Sequence, residues 1–318
     1  MKVIDLAIAA DWEYDRDFVG LVEGEARTLG LSTLQIWPVN LPETLRALAA
    51  GETDIRFLVD RAVGASPEFH ALQSIVRACG AGVLDPVEKV RWASDKATMH
   101  LEFIANGLAT PYTVILPAFE SRPDAGISTA DLTPLGSPFF IKPANTTGGS
   151  LGVVPGAASL LDVALARRTY PTDKYLLQER IVPREVDGRR FWFRGFFALG
   201  LVLCAWWDDR THAYAELRAD EIAGYGLHGL SDVVRRIAAV SGIRFFSTEI
   251  ALDAQGRFIV IDYVNETCDM RLASVHADGV PDAVVGAVAS RIAEFVRAGR
   301  DAWAAEIGPH RKEREGEK

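Results

Sequence analysis

Two folds in series are predicted by this sequence: an N-terminal α/β region with a parallel sheet, then an α+β region whose sheets are largely antiparallel. Strand-like and helix-like segments alternate over roughly the first 90 residues, the pattern of a parallel sheet with helices on its faces. From Phe139 onward, apolar strand-like segments dominate and the regular helical alternation is lost. The chain has 318 residues, and domains of roughly 100–200 residues each make two or three the expectation.

Lys2 to Ala9 reads as a buried strand. Phe18, Leu21, Val22 and Leu29 recur between charges, so Phe18 to Leu29 reads as a helix closed by Gly30. Thr33 to Val39 is a second strand, Leu41 to Ala50 a short helix and Ile55 to Val59 a third strand. Ser66 and Pro67 open a helix from Glu68 to Cys79, and Gly80 to Val83 is a last short strand. Ser94 or Asp95 caps the next helix, which Gly107 ends in a left-handed position. After Pro111 comes a strand to Leu116, and Glu120 to Pro138 reads as a connection. The second region offers strands at Phe139–Pro143, Lys174–Ile181, Arg189–Trp207, Phe245–Asp253 and Arg257–Val264. Helices are expected at Asp232–Val240, started by Ser231, and at Asp282–Arg297. The charged end from Arg311 to Lys318 is expected to fray.

Composition narrows the function. Hydrophobic residues make up 49% and charged residues 24%, which excludes disorder throughout. The net charge of −9 lacks the basic footprint of a non-specific nucleic-acid binder. Cys79, Cys204 and Cys268 form no CxxC pair, so a disulfide scaffold or cysteine zinc site is not expected, and a reducing compartment is. The N-terminal apolar run is a first strand, not a signal peptide. The longest apolar stretch, Phe196 to Trp207, is shorter than the roughly 20 residues that cross a bilayer. A cytoplasmic protein without a membrane partner is the expectation.

The strongest chemical signal lies between Thr248 and Asn265. If Gln255-Gly256 is the turn of a hairpin, Glu249 faces Asp262 directly, with Cβ atoms about 4.5–5.5 Å apart. Two like charges there repel. A divalent cation such as Mg²⁺, which sits between carboxylates and phosphates, supplies a reason to keep them. Asn265 adds a neutral oxygen at the same end. The bland alternative is two solvated acids, yet Asp262 lies in a nearly continuous apolar run, where an unpaired carboxylate is expensive.

Other residues suit an anion. Lys142 enters from a strand whose other members are apolar, just before the glycine-rich run Asn145 to Gly152. Such a run lets backbone N–H groups converge on phosphate, although neither the Walker A spacing nor GxGxxG is present. Lys96 stands near a helix N-terminus, where the dipole disfavours it unless an anion is bound; a solvated surface lysine is the alternative. The strand ending at Glu179 offers backbone groups to an adenine edge, and Glu185 could accept from ribose hydroxyls; both are also plausible surface glutamates. Arg190 and Arg194 share a strand face with Trp192 and Phe196, with Phe191, Phe193 and Phe197 on the core face. Arginine among aromatics suits a two-pronged anion contact. Arg271 follows the proposed metal end and is a further anion contact.

Together these segments resemble the ATP-grasp superfamily. The matching pieces are Asp95-Lys96, GLATPYTVIL, FFIKPANTTGGSLGVV, YLLQERIVPRE and TEIALDAQGRFIVIDYVN, in the family's order, over roughly residues 80 to 275. The similarity is nearest to the carboxylate–amine ligases, such as D-alanine–D-alanine and glutamate-adding ligases. The resemblance divides the chain into an N-terminal α/β domain at 1–92, a central subdomain at 93–175, a C-terminal subdomain at 176–305 and a flexible tail at 306–318. It implies that Lys96 and Lys142 hold the α- and β-phosphates of ATP, with Gly148, Gly149 and Ser150 closing over the β- and γ-phosphates. It implies that the backbone of Glu179, Arg180 and Ile181 reads adenine and Glu185 the ribose. Glu249, Asp262 and Asn265 would bind one or two Mg²⁺ ions, or Mn²⁺.

Three departures stand out. The first metal acid is glutamate where many relatives have aspartate. Asn265 stands three residues after Asp262, not two, so a bulge or changed turn compensates or Glu266 shares the role. Ser247 stands where many ligases carry an arginine, a place Arg194 or Arg190 would fill. The implied reaction is activation of a small-molecule carboxylate by ATP and attack by an amine, with Lys142, Arg190, Arg194 and Arg271 offsetting charge. Asp11 to Asp17 and Arg61 to Ser66 are expected acceptor contacts, and a homodimer is an expectation from relatives that pair through the first domain. The competing readings are a small-molecule kinase on the same fold and a nucleotide-binding protein without turnover.

Overall fold

A computed structural model of the chain describes residues 1–62, 64, 66–146 and 151–315, with side chains as far as residue 301. It divides into two compact units. The first comprises Met1–Glu88, Ala198–Leu201 and the residues from Thr267 onward; the second comprises Lys89–Phe197 and Val202–Glu266.

The first unit alternates as its sequence pattern demands. Its elements run β1 (Lys2–Ile4), β2 (Leu6–Ala9), α1 (Arg16–Thr28), β3 (Thr33–Ile36), α2 (Leu41–Ala49), β4 (Thr53–Ile55), β5 (Phe57–Asp60), α3 (His70–Ala78) and β6 (Gly82–Leu84). Four strands form a parallel sheet in the order β3-β2-β5-β6, and β1 pairs β4 in a second, two-stranded parallel sheet. The expected single strand Lys2–Ala9 is therefore two strands, broken at Asp5. Its carboxylate accepts from the Ser32 backbone and hydroxyl and from Arg56 Nη1 at 2.8 Å, which turns the chain out of the ladder. Arg56 breaks the neighbouring strand in the same way, between β4 and β5. Ala7, Ala9, Ile36, Leu58 and Phe69 centre the core. Beside it, Arg61 forks onto Asp15 at 2.6 and 2.8 Å and donates to the Cys268 carbonyl at 2.9 Å, with both side chains almost wholly buried.

The chain continues with α4 (Val87–Ser94), α5 (Lys96–Ala105), β7 (Thr113–Leu116), α6 (Thr129–Leu132), β8 (Phe139–Pro143), β9 (Val154–Ala157), α7 (Leu160–Thr169) and β10 (Tyr175–Gln178). Asp95, not Ser94, caps α5, its side chain accepting from the Thr98 N–H. Helix α7 has no counterpart in the sequence reading, although Ser159 and Asp162 cap its first turn reciprocally. Strands β7-β10-β8-β9 form an antiparallel sheet in that order.

Then come β11 (Glu185–Val186), β12 (Arg189–Arg190), β13 (Trp192–Ala198), β14 (Leu201–Trp207), β15 (Tyr214–Glu216), α8 (Ala219–Tyr225), α9 (Gly229–Ser241), β16 (Phe245–Leu252) and β17 (Phe258–Asn265). A five-stranded sheet has the order β15-β14-β13-β16-β17. One face carries Phe191, Phe193, Phe246, Ile250 and Val260 into a core with Val234 and Ile237 of α9. Gly195 lies on that face because a Cβ there would stand 2.5 Å from Val234. The other face carries the candidate site.

The last helix, α10 (Asp282–Glu315), runs on well past the expected end at Arg297, so the tail expected at 306–318 is helical to Glu315. Residues from Thr267 group with the first unit and not with the preceding subdomain. Within that unit α10 packs on α1, and Arg291 donates twice to the Leu199 carbonyl, at 2.6 and 2.9 Å. Among the described residues no helix is long and apolar enough to cross a membrane.

The Asp15–Arg61 pair yields a stability test. Asp15→Ala leaves a buried guanidinium without its carboxylate, and about 3–5 kcal/mol is the expected loss. Urea unfolding of wild type and variant measures it; a loss below about 1 kcal/mol contradicts the assignment.

Candidate active site

The site is set by the β16/β17 hairpin. Its turn is not the expected two-residue Gln255-Gly256. Asp253 N–H donates to the Arg257 carbonyl at 3.0 Å, and the Asp253 carboxylate accepts from the backbone of Gln255 and Arg257. Gly256, at φ 79°, supplies the left-handed residue of this three-residue loop. Next to the loop Leu252 pairs Phe258, Ala251 pairs Ile259 and Ile250 pairs Val260. The register then shifts by one, so that Glu249 faces Asp262, and shifts again before Ser247 faces Asn265. The expected acid pair is therefore present, but through a bulge and not through the turn. In a straight strand Asp262 would share the face of Val260, which lies in the core; the extra residue turns the acid to the opposite face.

Cations meet the two acids. Arg194 Nη1 donates to Glu249 Oε1 at 2.5 Å, and Trp192 Nε1 to Glu249 Oε2 at 3.3 Å. The Arg194 guanidinium also lies 5.3 Å from the centre of the Trp207 ring. Lys142 Nζ is 3.5 Å from the Ile261 carbonyl. Asn265 Nδ2 donates to Asp262 Oδ2 at 3.0 Å. Burial pushes the Glu249 carboxyl up, against Arg194, with the charge of Asp262 adding to the rise. Burial acts on Asp262 in the same sense, but Lys96, Lys142 and Arg194 outweigh it and hold that carboxyl below its ordinary value. Burial in turn pulls the Lys142 ammonium down, against the two acids. Glu266 is also pushed up by burial.

Glu249, Asp262, Asn265, Lys142, Trp192 and Trp207 line a cavity of about 440 Å³ within the second unit, together with Lys96, Glu179, Arg180 and Ile181. Phe140, Val153 and Ile261 are among its apolar walls, none of which the sequence reading singled out. Trp207, Asp209, Arg210 and His212 were missed as well. The Trp207 and His212 rings are stacked at 5.4 Å, and the apolar run containing Trp207 had been read only as strand.

Several expected residues already have partners of their own. Glu179 spends its N–H on the Tyr112 carbonyl and its carboxylate on the Tyr112 N–H, at 2.9 and 2.6 Å. Glu185 pairs Arg190 on the β11/β12 hairpin, is exposed and does not line the cavity. Arg190 forks onto Asp209 at 2.7 and 2.8 Å. Arg271 belongs to the first unit, where Asp269 and Asp278 hold it. Gly148, Gly149 and Ser150 lie outside the described residues.

Among the described residues no group of three His, Cys, Asp or Glu makes a metal site by itself. The donors fit Mg²⁺ nonetheless, because that ion takes one or two carboxylates and draws its other ligands from phosphate and water. Ser247 points the same way. By strand alternation it shares the face of Glu249, and its buried hydroxyl has no hydrogen-bond partner among the described residues.

No family model and no curated protein matches the chain. Solved structures do. A RimK domain ATP-grasp protein from Sphaerobacter thermophilus is 20% identical, with a TM-score of 0.61 over 92% of this chain and 98% of that one. The chain has the ATP-grasp fold. The macrocyclase MdnB from Microcystis aeruginosa is similar at 13% identity and a TM-score of 0.62, over 93% of this chain and 99% of that one. The D-cycloserine synthetase DcsG gives 16%, 0.58, 92% and 99%. In ATP-grasp terms the cavity lies on the side of the five-stranded sheet away from α9.

Behind this ATP-grasp cavity, the His100 Nδ1 and Tyr263 hydroxyl are 2.6 Å apart, and Gln178 Nε2 donates to the same hydroxyl at 3.0 Å. Burial pushes His100 down to about 4, so the folded ring is neutral at pH 6, where the unfolded one takes up a proton. The unfolded chain binds more protons between these values, so His100 weakens the fold as pH falls from about 6.5 to 4. His100→Gln should remove about 3 kcal/mol of that acid-side loss. Urea unfolding at several pH values checks this, and identical pH slopes in wild type and variant would refute it.

Proposed function

We propose that the protein is an ATP- and Mg²⁺-dependent carboxylate–amine ligase that works through an acylphosphate and releases ADP and phosphate. One observation carries the reading: two half-buried acids, Glu249 and Asp262, share one cavity with Lys96 and Lys142, and Arg194 pairs Glu249. Glu249, Asp262 and Asn265 would hold Mg²⁺, which supplies positive charge to the phosphates. Lys96 and Lys142 bind the nucleotide phosphates. Phe140 and Ile261 clamp the adenine. Since Glu179 has committed its N–H to Tyr112, its edge is read by the Glu179 or Arg180 carbonyl and the Ile181 N–H.

A carboxylate oxygen of the substrate attacks the γ-phosphorus as the bond to the β-bridging oxygen breaks. Arg194 and Lys142 offset the charge on the transferring group. An amine then attacks the acyl carbon, phosphate leaves and the amine's proton passes to solvent. No protein nucleophile is required, and the work is positioning and electrostatics. Structural neighbours agree in kind. PsnB, similar at 11% identity, is an ATP-grasp ligase seen with minimal precursor, Mg and ADP.

A kinase acting on a highly phosphorylated acceptor would need spare positive charge. Arg190, Arg194 and Arg271 each carry a carboxylate partner, which favours the ligase. Incubation with ATP, Mg²⁺ and panels of carboxylates and amines should release phosphate only when both classes are present; ATP consumption with a hydroxyl compound alone sinks the proposal. Asp262→Asn should lower turnover at least about 100-fold. Near wild-type turnover in that variant removes Asp262 from the metal site.

A further inference from the structure

The first unit contains a cavity of its own, of about 240 Å³, that the proposed chemistry does not use. One wall is apolar: Phe57 and Phe295, with ring centroids 5.6 Å apart, beside Ala81 and Val296. The remaining wall bears both signs of charge, with Arg56, Arg300, Asp5 and Asp54.

Those charges are not equivalent. Asp5 is buried at 7% exposure, and its oxygens are occupied by the Ser32 N–H and hydroxyl and by Arg56 Nη1. Burial would raise the Asp5 carboxyl, but the Ser32 bonds and Arg56 hold it below its ordinary value, so it stays ionised. Asp5 is therefore an anchor for the wall. Arg300 is fixed through Nη1 to the Gly30 carbonyl at 2.8 Å, with the same nitrogen 3.7 Å from Asp5 Oδ2. Its Nη2 has no partner among the described residues. Anchored guanidinium against an apolar wall is suited to a carboxylate with a hydrocarbon body. Asp54 adds a carboxylate to the same lining, which repels a bare acid and attracts an ammonium group.

We propose that this cavity binds an apolar α-amino acid: its carboxylate on Arg300 and Arg56, its ammonium toward Asp54, its side chain against Phe57, Phe295 and Val296. The site is separate from the nucleotide cavity, so its occupancy can be read without ATP.

Cys79 provides the readout, because it is exposed and lines the cavity. Cys268 is buried, and burial pushes the Cys204 thiol up to about 12, so neither competes for a thiol reagent. Labelling of the full-length protein by iodoacetamide, followed by mass spectrometry, is measured with phenylalanine, leucine or 3-phenylpropionate. Phenylalanine or leucine at ten times its dissociation constant should slow Cys79 labelling about tenfold. Arg300→Gln should abolish that protection, and Asp54→Asn should bring 3-phenylpropionate level with phenylalanine. Two variants at separate positions keep the test informative if one alters folding. Failure of both amino acids to protect Cys79 overturns the site. Equal protection by 3-phenylpropionate in the wild type overturns the amino-acid assignment. Either result leaves the ligase reading intact, since phosphate release is assayed separately.

Discussion

Two carboxylates held side by side on a mostly buried surface are the constraint on which the second unit is built. At about 5 Å and an effective dielectric of about 20, two such charges repel by about 3 kcal/mol. Asp262 cannot be moved to water without undoing β17, whose residues Val260, Tyr263 and Val264 belong to the core. The structure answers with Arg194 on Glu249 and with Lys96 and Lys142 acting on Asp262. The answer is uneven. Asp262 is held ionised by three cations, while Glu249 has one contacting cation and is pushed up by burial. Of the two acids, Asp262 is thus the one held charged, while Arg194 occupies one oxygen of Glu249.

The surrounding packing keeps this charge set in register. Gly195 lets α9 approach β13 closely enough for Val234 to fill the place of a side chain. On the reverse face Trp192 and Arg194 emerge between buried phenylalanines, and Trp207 supports the guanidinium from beside. A longer residue at 195 would push helix and strand apart and displace the arginine from its acid. Core shape on one side thus sets charge geometry on the other.

How much of this was legible in the sequence depended on whether a partner was near in the chain. Strand alternation alone put Arg194 and Trp192 on one face and Phe191 and Phe193 on the other. It also separated Lys142 from its apolar neighbours. The apolar context of Asp262 announced an acid partly withdrawn from water. Partners supplied by other segments were not readable. Nothing in the local pattern said that Arg190 would meet Asp209 across a hairpin, or that Tyr112 would take both the N–H and the carboxylate of Glu179. Asp5 broke a strand that looked continuous because Ser32 and Arg56 capture its carboxylate. Helix α7 carries a Ser159/Asp162 cap, but Leu161 and Leu165 are exposed, so its apolar residues do not mark one buried face.

The unusual position of Asn265 follows from the same geometry. Residues three apart on a straight strand point to opposite faces, so Asp262 and Asn265 could not cooperate in a regular β17. The second register shift, between the Glu249 and Ser247 pairings, inserts the residue that restores them to one side, and their side chains meet at 3.0 Å. The first shift does the equivalent for Asp262, freeing it from the face of Val260. Either irregularity alone would leave at least one of the two side chains on the wrong side of the sheet. The pair of them lets an eight-residue strand present core residues to α9 and the side chains of Asp262 and Asn265 to the cavity. The three-residue spacing is thus a consequence of the bulged strand, and the two features stand or fall together.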